Sequence, residues 1–496
     1  MDILGTVISI SDTPNTQNYY FVVNKESKIT KGLFVETETR EGILIGRVEE
    51  IIKTNRYFTQ PETISNYEIS IDTIFPTDKW EYIICKVKCL GTISNSSIKK
   101  VNYPVSPGQA IAIATNENLN KLFKFDENGI YIGNLLNHSI DVKISMNRLF
   151  QKHLAILALS GAGKSYATCV LLEEILNRNE EQGKVGGIII DPHGEYTSFA
   201  YDDRFSSKIN LIKGKDIRIN TSKLSYYAKE FLPNLSFAQE RDLLKIIKQL
   251  KGNDDVFSIK EIMTEIEKSE EIKQATKEVL LANLNLLNSL RIFGYYDSPS
   301  PESLISPGII SILDISEITN NKKKQIIVSY FLRELFNKRV HRRIPPFVAF
   351  IEEAHNFAPE KSNKEIFSKP VIEKIAREGR KFNALLCLIS QRPVHLSTTS
   401  LSQCNTHMYL RITNPYDLDH IGRSCEGLTR DLLNSINSLE VGEAVIVGEA
   451  ASYPLFIKIR EKTVCDIETN KSLEDEAKEF SEIDNNKKRD INELMK

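Results

Sequence analysis

LAILALSGAGKSYATCVLLEEIL, residues 154–176, joins a short apolar run to a turn of small residues and then to a longer amphipathic stretch. In that stretch Ala167, Val170, Leu171 and Ile175 are three or four positions apart, so they share one face of a predicted helix. A strand, a small-residue turn and a helix are the context that a phosphate-binding P-loop requires. The alternative, a chance GxGKS in a loop, leaves the flanking strand and helix unexplained.

The turn predicts a site for ATP and Mg²⁺. Its glycines allow backbone N–H groups to close around the β-phosphate, and the helix that follows directs its positive end at the same place. We expect Lys164 to reach the β- and γ-phosphate oxygens and Ser165 to ligate Mg²⁺. The predicted nucleotide-binding residues of the turn are Ser160, Gly161, Ala162, Gly163, Lys164, Ser165 and Tyr166.

One position departs from the motif G-x-x-x-x-G-K-[ST], because its first glycine is Ala158 here. That position ends the predicted strand. An alanine there costs little provided that its backbone dihedral angles are ordinary.

A second apolar run, in PPFVAFIEEAHNFAP (345–359), ends in two adjacent carboxylates. A motor ATPase needs one acid to hold Mg²⁺, usually through water, and another to polarise the attacking water. We assign Glu352 to the metal and Glu353 to catalysis, although an aspartate is usual at the metal-side position. A surface pair of strand-end carboxylates is the alternative.

A third run, GGIIIDPHGEY (186–196), also ends in polar groups, namely Asp191, His193 and Glu195. Open parallel sheets bind ligands at the carboxyl ends of their strands, so these acids are expected at the same edge as the P-loop. Asp191 is the predicted additional Mg²⁺ ligand. The motif DPHGEY could equally be a polar turn.

The fourth segment is VIEKIAREGRKFNALLCLISQRP, residues 371–393. Arg377 and Arg380 are three positions apart and are predicted to share a helix face, whereas Gln391 ends the next strand near the expected γ-phosphate. An arginine offered to a neighbouring subunit stabilises the transition state of phosphoryl transfer. Exposed helix arginines also commonly form plain surface salt bridges.

The rest of the chain predicts an α/β protein with a P-loop core, a helical-bundle insertion and a small N-terminal β-barrel or sandwich. Short apolar runs broken by Gly, Asn and Pro predict the barrel or sandwich, and continuous apolar runs predict a mostly parallel sheet covered by helices. The predicted bounds are 1–145 for the barrel or sandwich, 146–221 and 301–460 for the core, 222–300 for the insertion and 461–496 for a C-terminal tail that is solvated or docks on a partner subunit.

Composition narrows the class of protein. The 496 residues are 41% hydrophobic and 26% charged with a net charge of −2, so a uniformly basic surface for coating nucleic acid is excluded. No run approaches the about 18 apolar residues of a membrane helix, and we expect a cytoplasmic protein without membrane contact. Cys85 and Cys89 alternate with apolar residues, which favours two strand positions over a metal site.

Taken together and in this order, SGAGKS, DPHGEY, FIEEAHNF and REGRKFNALLCLISQRP resemble the HerA family, within the HerA/FtsK branch of P-loop ATPases. The resemblance covers nearly the whole chain and implies an N-terminal β-barrel, a RecA-like core with a helical-bundle insertion, and a C-terminal extension that braces the next subunit. It implies a homo-hexameric ring, an ATP-dependent DNA translocase or helicase that passes DNA through a central channel. Implied partners are a NurA-like nuclease or a defence effector, sirtuin-like or nuclease, in DNA end processing or antiphage defence.

The resemblance also assigns roles to individual residues. Lys164 and Ser165 bind nucleotide and Mg²⁺, Glu353 is the catalytic acid, and Gln391 senses the γ-phosphate. Arg380 is the first candidate for an arginine finger acting on the next subunit, and Arg377 is the second. A basic residue before the P-loop strand serves the site in similar proteins, and here Lys152 is preferred to His153 and Arg148.

Two lysine-rich segments are candidates for DNA contact. APEKSNKEIFSKP carries Lys361, Lys364 and Lys369 directly after the acidic strand and is predicted to line the channel, a solvated loop being the alternative. The second patch, ranked lower, consists of Lys338, Arg339, His341, Arg342 and Arg343 at a helix end. Competing functions are a ring that assembles and regulates a toxic partner enzyme, and a transporter or secretion ATPase.

Overall fold

The computed structural model describes residues 3–10, 14–55, 81–94, 97–253, 256–362, 365–425, 427–465, 474–475 and 477–481. Among these residues the strands form a small N-terminal sheet, a large mixed sheet and a short two-stranded pair. The large sheet positions all the residues of the predicted nucleotide site.

The small sheet is a barrel. Its strands are β1 Ile3–Ile8, β2 Asn18–Val23, β3 Phe34–Thr39, β4 Gly42–Asn55, β5 Glu81–Ser94, β6 Ser97–Lys99 and β7 Ala110–Ile113. Their order is β2-β1-β7-β3-β4-β5-β6, and a further pairing of β2 with β5 closes six of them into a ring. Phe21, Val35 and Val87 point into its apolar interior. The predicted N-terminal barrel is confirmed, and Cys85 and Cys89 lie on β5.

The remaining strands belong to the core, apart from the pair β13–β14. They are β8 Ile130–Leu135, β9 Asp141–Ile144, β10 Leu154–Leu157, β11 Gly186–Asp191, β12 Ile209–Lys213, β13 Ile219–Asn220, β14 Phe293–Gly294, β15 Ile310–Asp314, β16 Phe347–Ile351, β17 Ala384–Ser390, β18 Thr406–Tyr409, β19 Glu443–Gly448 and β20 Leu455–Ile459. In the large sheet their order is β12-β15-β11-β16-β17-β10-β18-β19-β20-β8-β9. The strands from β12 to β18 are parallel, and the rest are antiparallel.

Helices cover both faces of this sheet. They are α1 Asn116–Phe123, α2 Met146–Phe150, α3 Lys164–Asn177, α4 Leu224–Phe231, α5 Phe237–Asn253, α6 Ile259–Lys268, α7 Gln274–Ser289, α8 Asn321–Val340, α9 Ala354–Phe357, α10 Lys369–Glu378, α11 Thr398–Ser402, α12 Pro415–Ser424 and α13 Arg430–Asn437. Along β10, Leu154 and Ile156 enter one apolar cluster and Ala155 and Leu157 the other, so the strand is buried on both faces. The described residues contain no helix long and apolar enough to cross a membrane.

The predicted boundary at residue 145 is wrong for two strands. β8 pairs with β20 and β9 pairs with β8, so both extend the core sheet and not the barrel. Their short, interrupted apolar runs resemble barrel strands locally. β8 and β9 belong to the core sheet because β8 pairs with β20, more than 300 positions away. The local sequence pattern does not reveal such a distant partner.

The helical insertion is present where the sequence predicts it. Helices α4 to α7 occupy residues 224–289, and β13 pairs with β14 in parallel where the chain leaves and rejoins the core. A capping box starts α6, in which Ser258 accepts from the backbone of Glu261 and Glu261 accepts from the backbone of Ser258. The buried residues of the insertion join the apolar cluster on one face of the sheet.

Candidate nucleotide site

The turn between β10 and α3 has the backbone of a phosphate-binding loop. Gly161 and Gly163 have φ values of 77° and 94°, a region that residues with a Cβ rarely adopt. Within the described chain, the backbone N–H groups of Gly161, Gly163, Lys164 and Ser165 donate to no protein acceptor. Unpaired amides at the start of a 14-residue helix are suited to binding an anion.

Ala158 fits its position without strain. It is buried, its N–H donates to the Ser390 carbonyl at 3.2 Å, and it is not among the residues with a positive φ. The missing first glycine of the motif therefore imposes no backbone penalty, as the sequence argument required.

Lys164 lies between the two carboxylates that end β16. Its Nζ donates to Glu352 Oε1 and, at 3.0 Å, to Glu353 Oε1. Burial by itself would lower the pKa of Lys164, but the charges and hydrogen bonds of both glutamates raise it. The structure thus brings together the lysine of the P-loop and both predicted acids.

Glu352 is completely buried, and burial raises the pKa of its carboxyl group to about 7. Lys164 and the Tyr196 hydroxyl act in the opposite direction by hydrogen bonding to the charged form. The Tyr196 hydroxyl donates to Glu352 Oε2 at 2.5 Å. Both oxygens of Glu352 are therefore occupied within the protein.

Glu353 differs from Glu352 in having one oxygen free of hydrogen bonds. Its backbone is in the left-handed region, with a φ of 50°, and its Oε2 is buried without a hydrogen-bond partner in the described chain. His355 Nδ1 is only 3.2 Å away, but its contact with good geometry is to Ser390 Oγ at 3.0 Å. An unpaired carboxylate oxygen beside the P-loop lysine is what a catalytic acid needs to bind the attacking water.

Asp191 shapes a turn. Its Oδ1 accepts from the backbone N–H groups of His193, Gly194 and Glu195 at 3.2, 2.7 and 3.2 Å, and its Oδ2 accepts from that of Tyr196 at 3.0 Å. Burial raises the pKa of Asp191, and these four donors lower it. Because both oxygens are taken, this geometry does not support the predicted metal role, which stays a prediction.

The turn that Asp191 holds presents two side chains to the site. Ser165 Oγ donates to Glu195 Oε2, and Tyr196 reaches Glu352 from the next position. Ser165 and Glu195 supply the oxygen ligands that Mg²⁺ prefers, alongside phosphates and water. In the described residues, no group of three or more His, Cys, Asp or Glu side chains is arranged to hold a metal ion by itself.

The predicted arginines lie at the opposite edge of the sheet. Arg380 is in a 3-10 turn, Gly379–Phe382, just before β17, and Gln391 follows the far end of that strand. Seven residues of strand span about 20 Å, so Arg380 lies far from the P-loop of its own chain. Arg377 is exposed on α10, 3.9 Å from Glu373, and does not share a helix with Arg380.

Lys152 is also at that opposite edge, because it precedes the first residue of β10. Its Nζ lies 2.9 Å from Glu449 Oε2. His153 is buried, with Nε2 3.0 Å from the Ala376 carbonyl and Nδ1 accepting from the Leu386 N–H. Burial lowers the pKa of His153 to about 4, which keeps the ring neutral in a structural position.

Tyr166 contacts the segment that follows β20. Its hydroxyl accepts from the Lys462 N–H at 2.8 Å, and the Lys462 ammonium lies 5.5 Å from its ring centre. The N–H groups of Thr463 and Val464 donate to Glu173 on α3 at 2.6 and 2.7 Å. The start of the C-terminal segment is thus fixed to the P-loop helix. The rest of the predicted bracing tail lies largely outside the described residues.

The lysine-rich segments are only partly tested. Lys361 is exposed, Lys369 donates to the Glu360 carbonyl at 3.2 Å, and Lys364 lies outside the described residues. In the second patch, Lys338 pairs with Glu302, and Arg339 donates to two backbone carbonyls. Much of the second patch therefore serves the fold.

The sequence predicts no individual role for three residues whose side chains contact the site. Glu195 is predicted only as one of the acids that end a strand, Tyr196 is only part of the motif DPHGEY, and His355 has no predicted role. The acids and their order along the chain indicated a shared edge. Which hydroxyl meets which carboxylate depends on the turn that Asp191 organises, and spacing alone does not reveal it.

Comparisons with known proteins show which helicases the chain resembles. Residues 130–335 match a family model described as "Helicase HerA, central domain", which begins at β8 and ends within α8. The chain is 28% identical over an alignment of 505 residues to the DNA double-strand break repair helicase HerA of Pyrococcus furiosus, covering 89% of this chain and 90% of that one. Its likeness to the protein of the same name from Sulfurisphaera tokodaii is 28% over 408 residues, 76% of this chain and 78% of that one.

A solved structure supports the fold. VirB4 of Thermoanaerobacter pseudethanolicus superposes with a TM-score of 0.50 at 17% identity, covering 68% of this chain and 98% of that one. The parallel sheet, the glycine turn and the paired acids define a P-loop ATPase. Within that class, the chain is similar to the HerA family, in its central domain and over most of the length of these two helicases.

Proposed function

We propose that this protein is an ATP-driven DNA translocase or helicase that acts as a homo-hexameric ring. The observation that supports this most directly is the separation of the site residues within one chain. Lys164 and Glu353 lie at the carboxyl edge of the sheet, and Arg380 lies at the amino edge. A head-to-tail neighbour would bring the two edges together and complete the site.

In the proposed reaction, ATP binds with Mg²⁺ at the P-loop amides. Lys164 then exchanges its two carboxylates for the phosphate oxygens, because it cannot serve both sets of acceptors. This exchange frees Glu353 to orient the attacking water and accept its proton. Ser165, Glu352 and Glu195 would hold the Mg²⁺ ion, which would neutralise phosphate charge, and Gln391 would contact the γ-phosphate.

Arg380 would stabilise the charge that develops in the neighbouring subunit's transition state. Its guanidinium has no ion pair or hydrogen bond within the described residues, unlike Arg377, which lies near Glu373. An exposed arginine without a partner is available for contact across an interface. Lys152, at the same edge, is proposed as a second cation for that interface.

The DNA substrate is proposed from the relatives, which are named as DNA double-strand break repair helicases. From the resemblance of the sequence motifs to the HerA family we also propose that the ring works with a partner enzyme, either a NurA-like nuclease in DNA end processing or a sirtuin-like or nuclease effector in antiphage defence. Lys361, Lys364 and Lys369 remain candidates for the channel.

Mixed rings test the shared site. Rings of Glu353→Gln subunits alone, or of Arg380→Ala subunits alone, should lose at least about a thousandfold in ATP hydrolysis. When the two are mixed in equal amounts, about one quarter of the sites combine an intact Glu353 with an intact neighbouring Arg380, and hydrolysis should recover accordingly. Native mass measurement would show that mixed rings form.

Arg377→Ala is the matched control, because it removes an exposed arginine three positions away. We expect it to hydrolyse ATP at close to the unmodified rate. Failure of mixed rings to recover activity would contradict the shared site. Activity in a partner enzyme that survives Glu353→Gln would instead favour an ATP-binding scaffold over a translocase.

A further inference from the structure

Four cations converge where the helical insertion rejoins the core. Lys215 and Arg218 follow β12, Arg291 lies between α7 and β14, and Lys323 is in the first turn of α8. We call these four residues the basic rim. Lys215, Arg291 and Lys323 line one cavity, and Glu317 is the acidic residue in its lining.

The basic rim carries charge that the protein does not neutralise. None of its four side chains has a carboxylate within 4.0 Å in the described residues. The Arg218 guanidinium instead donates to the carbonyls of Lys215 and Ile217, at 2.7 Å each. Burial lowers the pKa of Lys323, and the charges of Arg218 and Arg291 lower it further, as expected for cations held close together.

Two exposed aromatic residues adjoin these cations. Tyr295 and Tyr296 follow β14 directly and are 50% and 68% exposed. Arg218 packs beside Gly294 and is bridged to Ser298, so the tyrosine loop begins and ends next to this arginine. Clustered cations bind phosphates, and exposed aromatic rings stack on unpaired bases.

We propose that the basic rim and the adjoining tyrosines bind a single-stranded segment of nucleic acid through its phosphates and bases. This inference rests on the proposed function only in taking a nucleic acid as the ligand. It gives α8 a part in communication with the nucleotide site, since Lys324, next to Lys323, donates to the Pro192 carbonyl in the Asp191 turn at 3.4 Å.

The test is the affinity of the full-length protein for a fluorescent oligothymidine, measured by anisotropy without nucleotide over a range of salt concentrations. Combined Lys215→Gln, Arg291→Gln and Lys323→Gln should weaken binding 10- to 100-fold at about 0.1 M salt, and should reduce the slope of log affinity against log salt by about 2. Tyr295→Ala with Tyr296→Ala should weaken oligothymidine binding about tenfold and leave duplex binding unchanged.

The matched control removes the same charge from the helical insertion by combining Lys229→Gln, Lys248→Gln and Lys260→Gln, three exposed lysines. All variants should keep the thermal midpoint and the basal ATPase activity of the unmodified protein. Equal affinity in the rim variant, or an equal loss in the control, would overturn the inference.

Further outcomes distinguish a nucleic-acid ligand from a simple anion, and a failure of the basic rim from a failure of the proposed function. Displacement of the oligonucleotide by millimolar inorganic phosphate, with no dependence on the tyrosines, would mean a simple anion site and would also overturn the inference. If the unmodified protein binds no nucleic acid under any condition, the proposed function itself fails. If it binds and the rim variant binds equally well, only the basic rim is wrong.

Discussion

The turns after β10 and β11 leave buried parallel strands at the same sheet edge, but they use their backbone N–H groups differently. Both contain a glycine of positive φ, Gly163 at 94° and Gly194 at 78°. In the first turn the amides of Gly161, Gly163, Lys164 and Ser165 are unpaired within the described chain, whereas in the second turn Asp191 accepts from four amides. One turn is built to receive an anion, and the other carries its own carboxylate and holds its shape without a ligand.

The largest effect should come from the first turn. Lys164→Ala removes the cation that balances two buried acids and that would reach the phosphates, so nucleotide affinity should fall at least about a hundredfold. Titration with a fluorescent ATP analogue measures this loss. Lys184→Ala, at an exposed position beside Glu180, is the control and should bind normally. Retained affinity in Lys164→Ala would mean that the nucleotide binds elsewhere.

The second turn should respond in stability as well as in activity. Asp191→Ala leaves four N–H groups without their acceptor, that of the buried Tyr196 among them, and should lower the free energy of unfolding by about 2–4 kcal/mol. Urea denaturation measures the change. ATP hydrolysis should fall too, because Glu195 and Tyr196 lose their support.

Asp314→Ala is the matched control for that experiment. Asp314 is the register partner of Asp191 on β15 and also ends its strand, but it accepts one backbone N–H, that of Ser316, together with the Ser316 hydroxyl. Its loss should cost about 1 kcal/mol and leave hydrolysis intact. An equal cost at both positions would contradict the special role of the Asp191 turn.

A smaller effect should follow from removing the hydrogen bond by which Tyr196, in the second turn, reaches Glu352, the acid that also accepts from Lys164 of the first turn. Tyr196→Phe removes the hydroxyl that donates to the charged form of Glu352, so the pKa of Glu352, already raised to about 7 by burial, should rise further. Hydrolysis should fall about tenfold near pH 7 and recover partly at higher pH, where Glu352 ionises again. A pH profile of the rate shows this displacement.

Tyr330→Phe controls for the loss of a buried tyrosine hydroxyl. Tyr330 donates to Asp297 at 2.7 Å, in contact with the helical insertion and away from the P-loop. Its pH profile should match that of the unmodified protein. If Tyr196→Phe shows no displacement either, Tyr196 has only a structural role.

The contrast between the turns also explains what the sequence could predict. The P-loop is a contiguous motif whose glycines, lysine and serine act where they stand, so Lys164 and Ser165 could be assigned directly. Glu352 and Glu353 followed from the same reasoning because a buried strand precedes them. In DPHGEY the acid that looked most like a ligand, Asp191, accepts from the backbone, and the useful side chains are the two at the end of the motif.

The strands of the core show the same difference between what a local sequence pattern predicts and what it does not. The continuous apolar runs correctly predicted the core strands β10, β11, β16 and β17, because burial on both faces needs no knowledge of the partner strand. β12 and β20 are short strands that include the polar residues Asn210 and Lys458, so neither forms a continuous apolar run from which it could be predicted. Arg380 was expected on the helix of Arg377, but the helix ends at Glu378, and the glycine that follows begins a 3-10 turn.

The smallest effect is expected from a substitution of Ala158, where β10 leads into the first turn. Ala158→Gly restores the glycine that the motif usually has, but Ala158 has no positive φ and its N–H already pairs with Ser390. Affinity for ATP should therefore change less than about twofold, while the free energy of unfolding falls by about 0.5–1 kcal/mol because glycine loses more backbone entropy on folding. Nucleotide titration and urea denaturation measure the two quantities. A marked gain in affinity would show that Ala158 restrains the loop, and that the phosphate site is tuned by the end of β10 as well as by its unpaired amides.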